Sequence, residues 1–530
     1  MNKNSIGLLL VVILSLISGF FVYKQWAKEP RSLKWDNAWH AVLASEIAND
    51  IKSGDIKSLL YDTNKQTLHP FMESYIWGVF FVFFGISEIS AAICALIIFL
   101  MSLIMLYKIC TLLDEKNGWV IGLLSCLLML YVPINLVYAT QIMTEIPCMF
   151  LILATVYCYF RSSEERGIFF SLCSGLAVAT LFFTKYNYGF ILFIFMMSWE
   201  TIHYKNIDFR KFLVLALPAV IFSLAWFSFD RVNKINGFMN FVLSRSSGIG
   251  FLTSENWFLY PKLIMQNYIP SRVLFWIITA LFAIVLLNVR KIDKKIQFIV
   301  SLFIIFIFAA TYHPIKDSRY ILPIFPFLII IVLSGIPGDK ISRIFRFALF
   351  FLISFILFFN INKSYSVDLP FMYSSLYGDK DTNTIVSEVA DSIIENKMRR
   401  TFLMGTFNEL NNYVFVWSLY TKGSGLAREV NSFDDIPYPK QFDLVEFDYK
   451  MDKSYINAFN SWLETSKYSS VVTFEVDDKV SAYKTNDYIR YNKWKQNYVR
   501  LFKSQKKYKL IDELKFPEKG VTVRFYTKKA

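Results

Sequence analysis

Charge is scarce in this chain: only 18% of its 530 residues are Asp, Glu, Lys or Arg, whereas 55% are hydrophobic and 18% aromatic. That shortage excludes an ordinary soluble protein of this length and points to a polytopic membrane protein. Also missing are a glycine-rich phosphate loop, an H-E-x-x-H zinc helix and a G-x-S-x-G elbow, so ATP hydrolysis, zinc proteolysis and serine-esterase chemistry lack their machinery. The six cysteines, Cys94, Cys110, Cys126, Cys148, Cys158 and Cys173, form no C-x-x-C pair and read as small buried hydrophobes. The excess of cations, a net +14, reads as membrane topology and not as a nucleic-acid surface.

What the chain has is a series of apolar runs. Ile6 to Tyr23 gives about 18 residues, close to the roughly 20 that a helix needs to cross the hydrocarbon core. The small-x-small pattern expected before Lys24 is poor, so this run reads as a retained anchor and not a cleaved signal. Further apolar segments lie at 70–84, 88–112, 118–133, 146–160, 167–184, 187–202, 211–229, 271–289, 296–311, 320–336 and 345–361. Segment 70–84 is short and carries Glu73 near its start, which suits an interfacial or re-entrant helix.

With that segment not crossing, eleven spans remain, and the loops separate by charge. One set is short and basic: Lys108 and Lys116; Arg161 and Arg166; Lys205, Arg210 and Lys211; Arg290, Lys291, Lys294 and Lys295; Lys340, Arg343 and Arg346. These are cytoplasmic by the positive-inside rule, which puts the amino terminus inside. The other set holds Asp36, His69, Thr144-Glu145-Ile146-Pro147, Lys185 and Tyr312-His313-Pro314-Ile315-Lys316-Asp317-Ser318-Arg319-Tyr320. Parity therefore gathers the polar residues on one outward side.

From about Asn362 the composition turns polar, with no long apolar run. Short runs at Arg400–Gly405, Ser469–Glu475, Lys507–Ile511 and Val521–Tyr526 predict strands, and periodicity at Thr384–Asn396, Tyr455–Tyr468 and Asp487–Lys503 predicts helices. The fold class expected is an α-helical polytopic membrane protein of about eleven spans plus juxtamembrane helices over 1–361, with an outward first loop at 24–87. A soluble extracytoplasmic α/β domain follows over 362–530; it has no cysteine and must rest on its own core.

Two acids among several bases suit a reaction with an anionic leaving group. Transfer of a sugar from a polyprenyl phosphate needs a carboxylate to take the acceptor's proton and cations to stabilise the departing phosphate. Asp36 fits the first role, and Lys185, Lys316 and Arg319 fit the second. Each has a plainer alternative. Asp36 could be a loop acid or the N-cap of a helix over Ala38–Ile51, and Glu145 before Ile146-Pro147 could simply favour a helix start. Lys185 and Arg319 could snorkel from span ends, and His69 before Pro70 could be a turn residue.

The order of these motifs resembles the C-type membrane glycosyltransferases, most of all the protein O-mannosyltransferase and lipid A aminoarabinose transferase branch. The residues that carry it are Asp36 after the first span, His69-Pro70-Phe71 opening an aromatic helix that closes at Phe84-Gly85, Thr144-Glu145-Ile146-Pro147, Thr184-Lys185-Tyr186, and Ser318-Arg319-Tyr320 through Phe325-Pro326. The resemblance covers about residues 1–361 and implies inverting transfer from a polyprenyl-phosphate-linked sugar to a glycan, lipid or protein acceptor, in contact with membrane lipid. It places Asp36 and Glu145 at the family's two catalytic acids, Lys185 and Arg319 at the carrier phosphate, and a juxtamembrane helix at 70–84. His69, His313, Lys316 and Tyr320 complete the candidate donor-binding set. The bacterial cytoplasmic membrane, with the site outside, is the location it implies.

This chain departs from the pattern in having Asn37 where the mannosyltransferases carry a second acid, and Pro70-Phe71 for a double proline. A divalent cation between Asp36 and Glu145 stays unassigned, because two carboxylates far apart in sequence define no geometry. Two other classes are kept beside the enzyme reading: a transporter or flippase of lipid-linked saccharides, and a non-catalytic assembly subunit.

Overall fold

The computed structural model describes residues 3–28, 35–66, 70–163, 167–203, 208–229, 233–236, 238–239, 253–269, 272–313, 317–334, 380–404, 412–431, 468–476, 499–500, 502–505, 507–517 and 520–529. The chain divides into two compact units, one made of Met1–Glu29 with Leu43–Ser374, the other of Pro30–Val42 with Ser375–Ala530.

The first unit is helical. Its elements begin with α1 (Lys3–Lys28), then α2 (Trp35–Ser53, which starts in the second unit), α3 (Ile56–Asn64), α4 (Met72–Phe84), α5 (Glu88–Leu113), α6 (Gly118–Tyr131) and α7 (Pro133–Tyr138). They continue with α8 (Glu145–Ser162), α9 (Gly167–Thr184), α10 (Tyr186–His203) and α11 (Phe209–Ser228). Next come α12 (Ser254–Leu263), which runs into a π-helical turn at Ile264–Tyr268, α13 (Arg272–Leu287) and α14 (Lys294–Tyr312). A 3₁₀ segment, Ser318–Ile324, leads into α15 (Phe325–Ser334).

Among the described residues five helices are long and apolar enough to cross a membrane: Lys3–Phe21, Glu88–Leu113, Gly167–Thr184, Phe209–Ser228 and Lys294–Tyr312. Shorter apolar helices lie at Met72–Phe84, Gly118–Leu130, Arg272–Leu287 and Ser318–Ser334. The expected segment 345–361 falls outside the described residues. Helix α4 has 13 residues, hence about 20 Å of length against a hydrocarbon core of about 30 Å.

Small and large residues divide the labour on these helices. On α5, Ala91, Ala92 and Ala95 are buried while Ile89, Ile93, Ile97 and Met101 are exposed, so one face packs closely on protein and the other suits lipid tails. Gly78 of α4 meets the Ala44 carbonyl and Ile47 of α2 at about 3 Å from where a Cβ would sit, so α4 lies tightly on α2. The plainer alternative for Asp36, an N-cap before Ala38, does not hold: the helix begins at Trp35, which puts Asp36 inside the first turn. Helix α3, whose Asp55 side chain caps Ser58, was not foreseen.

The second unit contains a five-stranded mixed sheet in the order β2-β1-β3-β5-β4: β1 (Thr401–Met404), β2 (Val430–Asn431), β3 (Ser470–Val476), β4 (Tyr508–Phe516) and β5 (Val521–Lys528). Strand β1 runs parallel to β2 and β3, whereas β3, β5 and β4 are antiparallel neighbours. Helix α16 (Lys380–Glu395) and helix α17 (Asn412–Thr421) supply the apolar cover, with Val389, Ile393, Val414, Phe415 and Trp417 buried. All four expected strands are present, and β4 carries a register shift between Leu510 and Asp512. The expected helix at Thr384–Asn396 is α16, while those at Tyr455–Tyr468 and Asp487–Lys503 fall almost wholly outside the described residues.

Candidate active site

Three breaks between helices of the first unit bring the charged residues together. Helix α8 opens on Glu145 after Thr144, with no side-chain cap, so the free N–H groups of its first turn favour an acid there. Lys185 is the single residue between α9 and α10, where the chain bends sharply. Gly189 permits that bend: a Cβ at this position would overlap the Phe182 backbone. Gly189→Ala is therefore expected to destabilise the protein by about 1–3 kcal/mol through overpacking, read as a lower midpoint of thermal unfolding in detergent. An unchanged midpoint would contradict the described approach of the two helices.

The third break is Asp317, whose Oδ1 accepts the backbone N–H of Arg319 at 3.0 Å and so caps the 3₁₀ segment. Within this cluster the Lys185 Nζ donates to Glu145 Oε1 at 2.7 Å. The Arg319 Nε lies 3.0 Å from Asp317 Oδ2 and 3.8 Å from Glu145 Oε1. These two contacts of the Arg319 Nε are ion pairs without hydrogen-bond alignment. All four residues are buried, Glu145 completely. Snorkelling is thus excluded as the reason for Lys185 and Arg319: each turns inward to a carboxylate.

Aromatic rings enclose the cations. The Lys185 Nζ is 5.0 Å from the Tyr320 ring centroid and 5.5 Å from that of Tyr188, and the Arg319 guanidinium is 5.7 Å from Tyr320. At these distances the ring faces add cation–π attraction in a dry site. The Tyr188 hydroxyl donates to the Tyr320 carbonyl at 2.8 Å and the Tyr268 hydroxyl to the Ser318 carbonyl at 2.5 Å, which fixes the 3₁₀ backbone from two sides.

Two cations against two carboxylates leave this quartet formally neutral. Burial alone would pull the Lys185 ammonium down, but the Glu145 carboxylate beside it holds it above the usual lysine range. Burial pushes the Asp317 carboxyl above the usual carboxylate range, against the pull of Arg319. The second oxygen of Glu145, Oε2, is buried without a hydrogen-bond partner. The donor set does not suit a divalent cation, because Lys185 and Arg319 already neutralise both carboxylates. Among the described residues no three His, Cys, Asp or Glu side chains converge.

Of the residues singled out from sequence, Glu145, Lys185, Arg319 and Tyr320 meet here, and His313 stacks edge-on against Tyr320 with ring centroids 5.6 Å apart. His69 and Lys316 lie outside the described residues. Asp36 has a described backbone on α2, but its side chain does not belong to the described part. Beside His69, Phe71 packs on Phe183 and Trp226 at 5.2 and 4.9 Å. Asp317, Tyr188, Tyr260 and Tyr268 are not among the residues singled out from sequence. Asp317 stands in the polar run Tyr312–Tyr320, and its place two residues before Arg319 is the signal the sequence carries. Tyr188 lies two residues past the Thr184-Lys185-Tyr186 motif, whereas no motif marks α12 or the π-helical turn that carry Tyr260 and Tyr268.

The chain is similar to known proteins in part of its sequence and in its fold. Residues 68–226 match the family model described as dolichyl-phosphate-mannose-protein mannosyltransferase. No curated protein matches the sequence significantly. The fold is similar to the ArnT crystal structures of Cupriavidus metallidurans, in the apo state (TM-score 0.59) and bound to undecaprenyl phosphate (TM-score 0.58). In each case identity is 12%, and 98% of this chain and 97% of that chain are covered. It is also similar to the Archaeoglobus fulgidus oligosaccharyltransferase AglB in complex with an inhibitory peptide and a dolichol-phosphate (TM-score 0.53, identity 10%, covering 88% of this chain and 69% of that one). The resemblance to C-type polytopic membrane glycosyltransferases of the mannosyltransferase and ArnT branch, read from motif order, is borne out, and the chain is an integral membrane protein.

Proposed function

We propose that this chain moves a sugar from a polyprenyl-phosphate-linked donor to an acceptor outside the cytoplasmic membrane, with inversion at the sugar. The observation that carries this reading is the buried Lys185–Glu145 pair joined to Arg319 and Asp317 at three helix breaks. The bound undecaprenyl phosphate and dolichol-phosphate named for the two structural relatives support the donor class.

In this reaction an acceptor hydroxyl attacks the anomeric carbon, the bond from that carbon to the phosphate oxygen breaks, and the phosphate leaves with the electron pair. Asp36 takes the hydroxyl proton as general base. Arg319 and Lys185, together with Lys316, His69 and His313, stabilise the departing phosphate; Tyr320 covers the cations with its ring. Because the quartet is neutral, an incoming phosphate must displace a carboxylate. Asp317 is the one that yields, since burial holds its carboxyl above the usual carboxylate range and a proton taken up on it releases Arg319. Glu145 keeps Lys185 charged and aimed, and its Oε2 offers an acceptor to a hydroxyl of the substrate.

The acceptor class includes lipid, polysaccharide and protein. Deletion of the gene, followed by mass spectrometry of the lipid fraction, tests the reading directly. Accumulation of one polyprenyl-phosphate-linked sugar, reversed by the wild-type gene but not by Asp36→Asn, is the expected result. An unchanged lipid-linked sugar pool would sink the proposal.

A further inference from the structure

Helix α12 and its π-helical turn carry a polar residue that the mechanism above does not use. Along this segment Tyr260, Leu263, Ile264, Asn267 and Tyr268 are buried, whereas Trp257 and Phe258 are exposed. The buried set is one helical stripe, in which an apolar residue is expected at every position. Asn267 breaks that pattern: it is 1% exposed, and neither its Nδ2 nor its Oδ1 has a hydrogen-bond partner. Both ends of a side-chain amide in dry surroundings are costly to leave unpaired.

Its neighbours locate it. The next residue, Tyr268, donates its hydroxyl to the Ser318 carbonyl, one residue before Arg319. Tyr260, on the same stripe, lies within electrostatic reach of Asp317 and Tyr320, and Tyr268 within reach of Asp317 and Glu145. Asn267 thus lies on the stripe between Tyr260 and Tyr268, and the second of these is bonded to the backbone that carries Arg319. The turn that bears it is π-helical, a local widening that commonly marks functional sites in helices.

We infer that Asn267 is a ligand-binding residue whose amide pairs with hydroxyl groups of the transferred sugar. An amide offers two N–H donors and a carbonyl acceptor, which matches adjacent sugar hydroxyls and does not match an isoprenoid or a bare phosphate, which lacks donors when ionised. A site that buries unpaired polar groups rewards the ligand that satisfies them and rejects one that cannot. This inference rests on the glycosyltransferase reading, and it adds that the sugar is recognised from the π-helical turn after α12, at a residue separate from the phosphate-binding cations.

The test compares wild-type protein with Asn267→Leu, which keeps size and removes the amide, in detergent. Binding is measured to undecaprenyl phosphate alone and to undecaprenyl phosphate carrying mannose, glucose or aminoarabinose, and the melting temperature is recorded without ligand. Asn267→Leu is expected to melt at the wild-type temperature or above and to bind bare undecaprenyl phosphate normally. It should lose about 10- to 100-fold in affinity for the preferred sugar-bearing lipid.

Lower melting with equal loss for all lipids would assign Asn267 an internal structural role and overturn the inference. So would unchanged affinity for the sugar-bearing lipid, or a wild-type protein that binds no sugar-bearing lipid better than the bare carrier. Failure of wild-type protein to bind any of these lipids would instead remove the glycosyltransferase reading beneath it.

Discussion

Asp36→Asn is expected to lower turnover by about 10²- to 10⁴-fold, the range that a positioned general base supplies. The amide matches the carboxylate in size and cannot take a proton from an acceptor hydroxyl. It sits in the first turn of α2, where an uncharged polar side chain is well tolerated, so the melting temperature and donor affinity should stay at wild-type values. The measurement is single-turnover transfer by purified protein, beside equilibrium binding of the lipid donor. Retained turnover would remove Asp36 from the reaction. A fall in both binding and melting temperature would make it structural.

The second large effect concerns Lys185. Lys185→Met should destabilise the protein by about 3–5 kcal/mol, because it strands the Glu145 carboxylate in a buried site where Arg319 is 3.8 Å away and already faces Asp317. The double variant Lys185→Met with Glu145→Leu should recover most of that loss, since an apolar pair can replace a buried ion pair at little net cost. Activity should not recover with it. A double-mutant cycle in thermal unfolding, run beside transfer assays, separates the two quantities. Additive stability losses would show that the 2.7 Å contact does not couple the residues energetically.

These residues also show what a single sequence makes legible. Glu145, Lys185 and Arg319 each stand at the end of an apolar run, and the parity of charged loops put all three on one side before any contact was known. Their convergence at three helix breaks agrees with that reading. Strands β1, β3, β4 and β5 were visible because alternation and β-branched runs report a half-buried sheet directly. Helix α3 was missed because its nine residues carry too short a pattern. Asp317 was passed over as one polar residue among several, because what makes it significant is burial beside Arg319, and burial is a property of tertiary packing. Asn267 was hidden for a related reason: a lone Asn in a mixed segment signals nothing until its surroundings are seen to be dry.

Among the described residues strand β4 lies at the rim of its sheet, with β5 on one side and no further strand beyond it. A rim of nine residues is a template onto which another chain can add a strand. The register shift at Leu510/Asp512 interrupts that template, and Lys509 and Lys515 stand exposed on either side of it. Lysines and a bulge are the devices by which sheet proteins resist edge-to-edge aggregation. A second copy of this protein meeting that rim therefore finds an interrupted, lysine-bearing edge and not a continuous one.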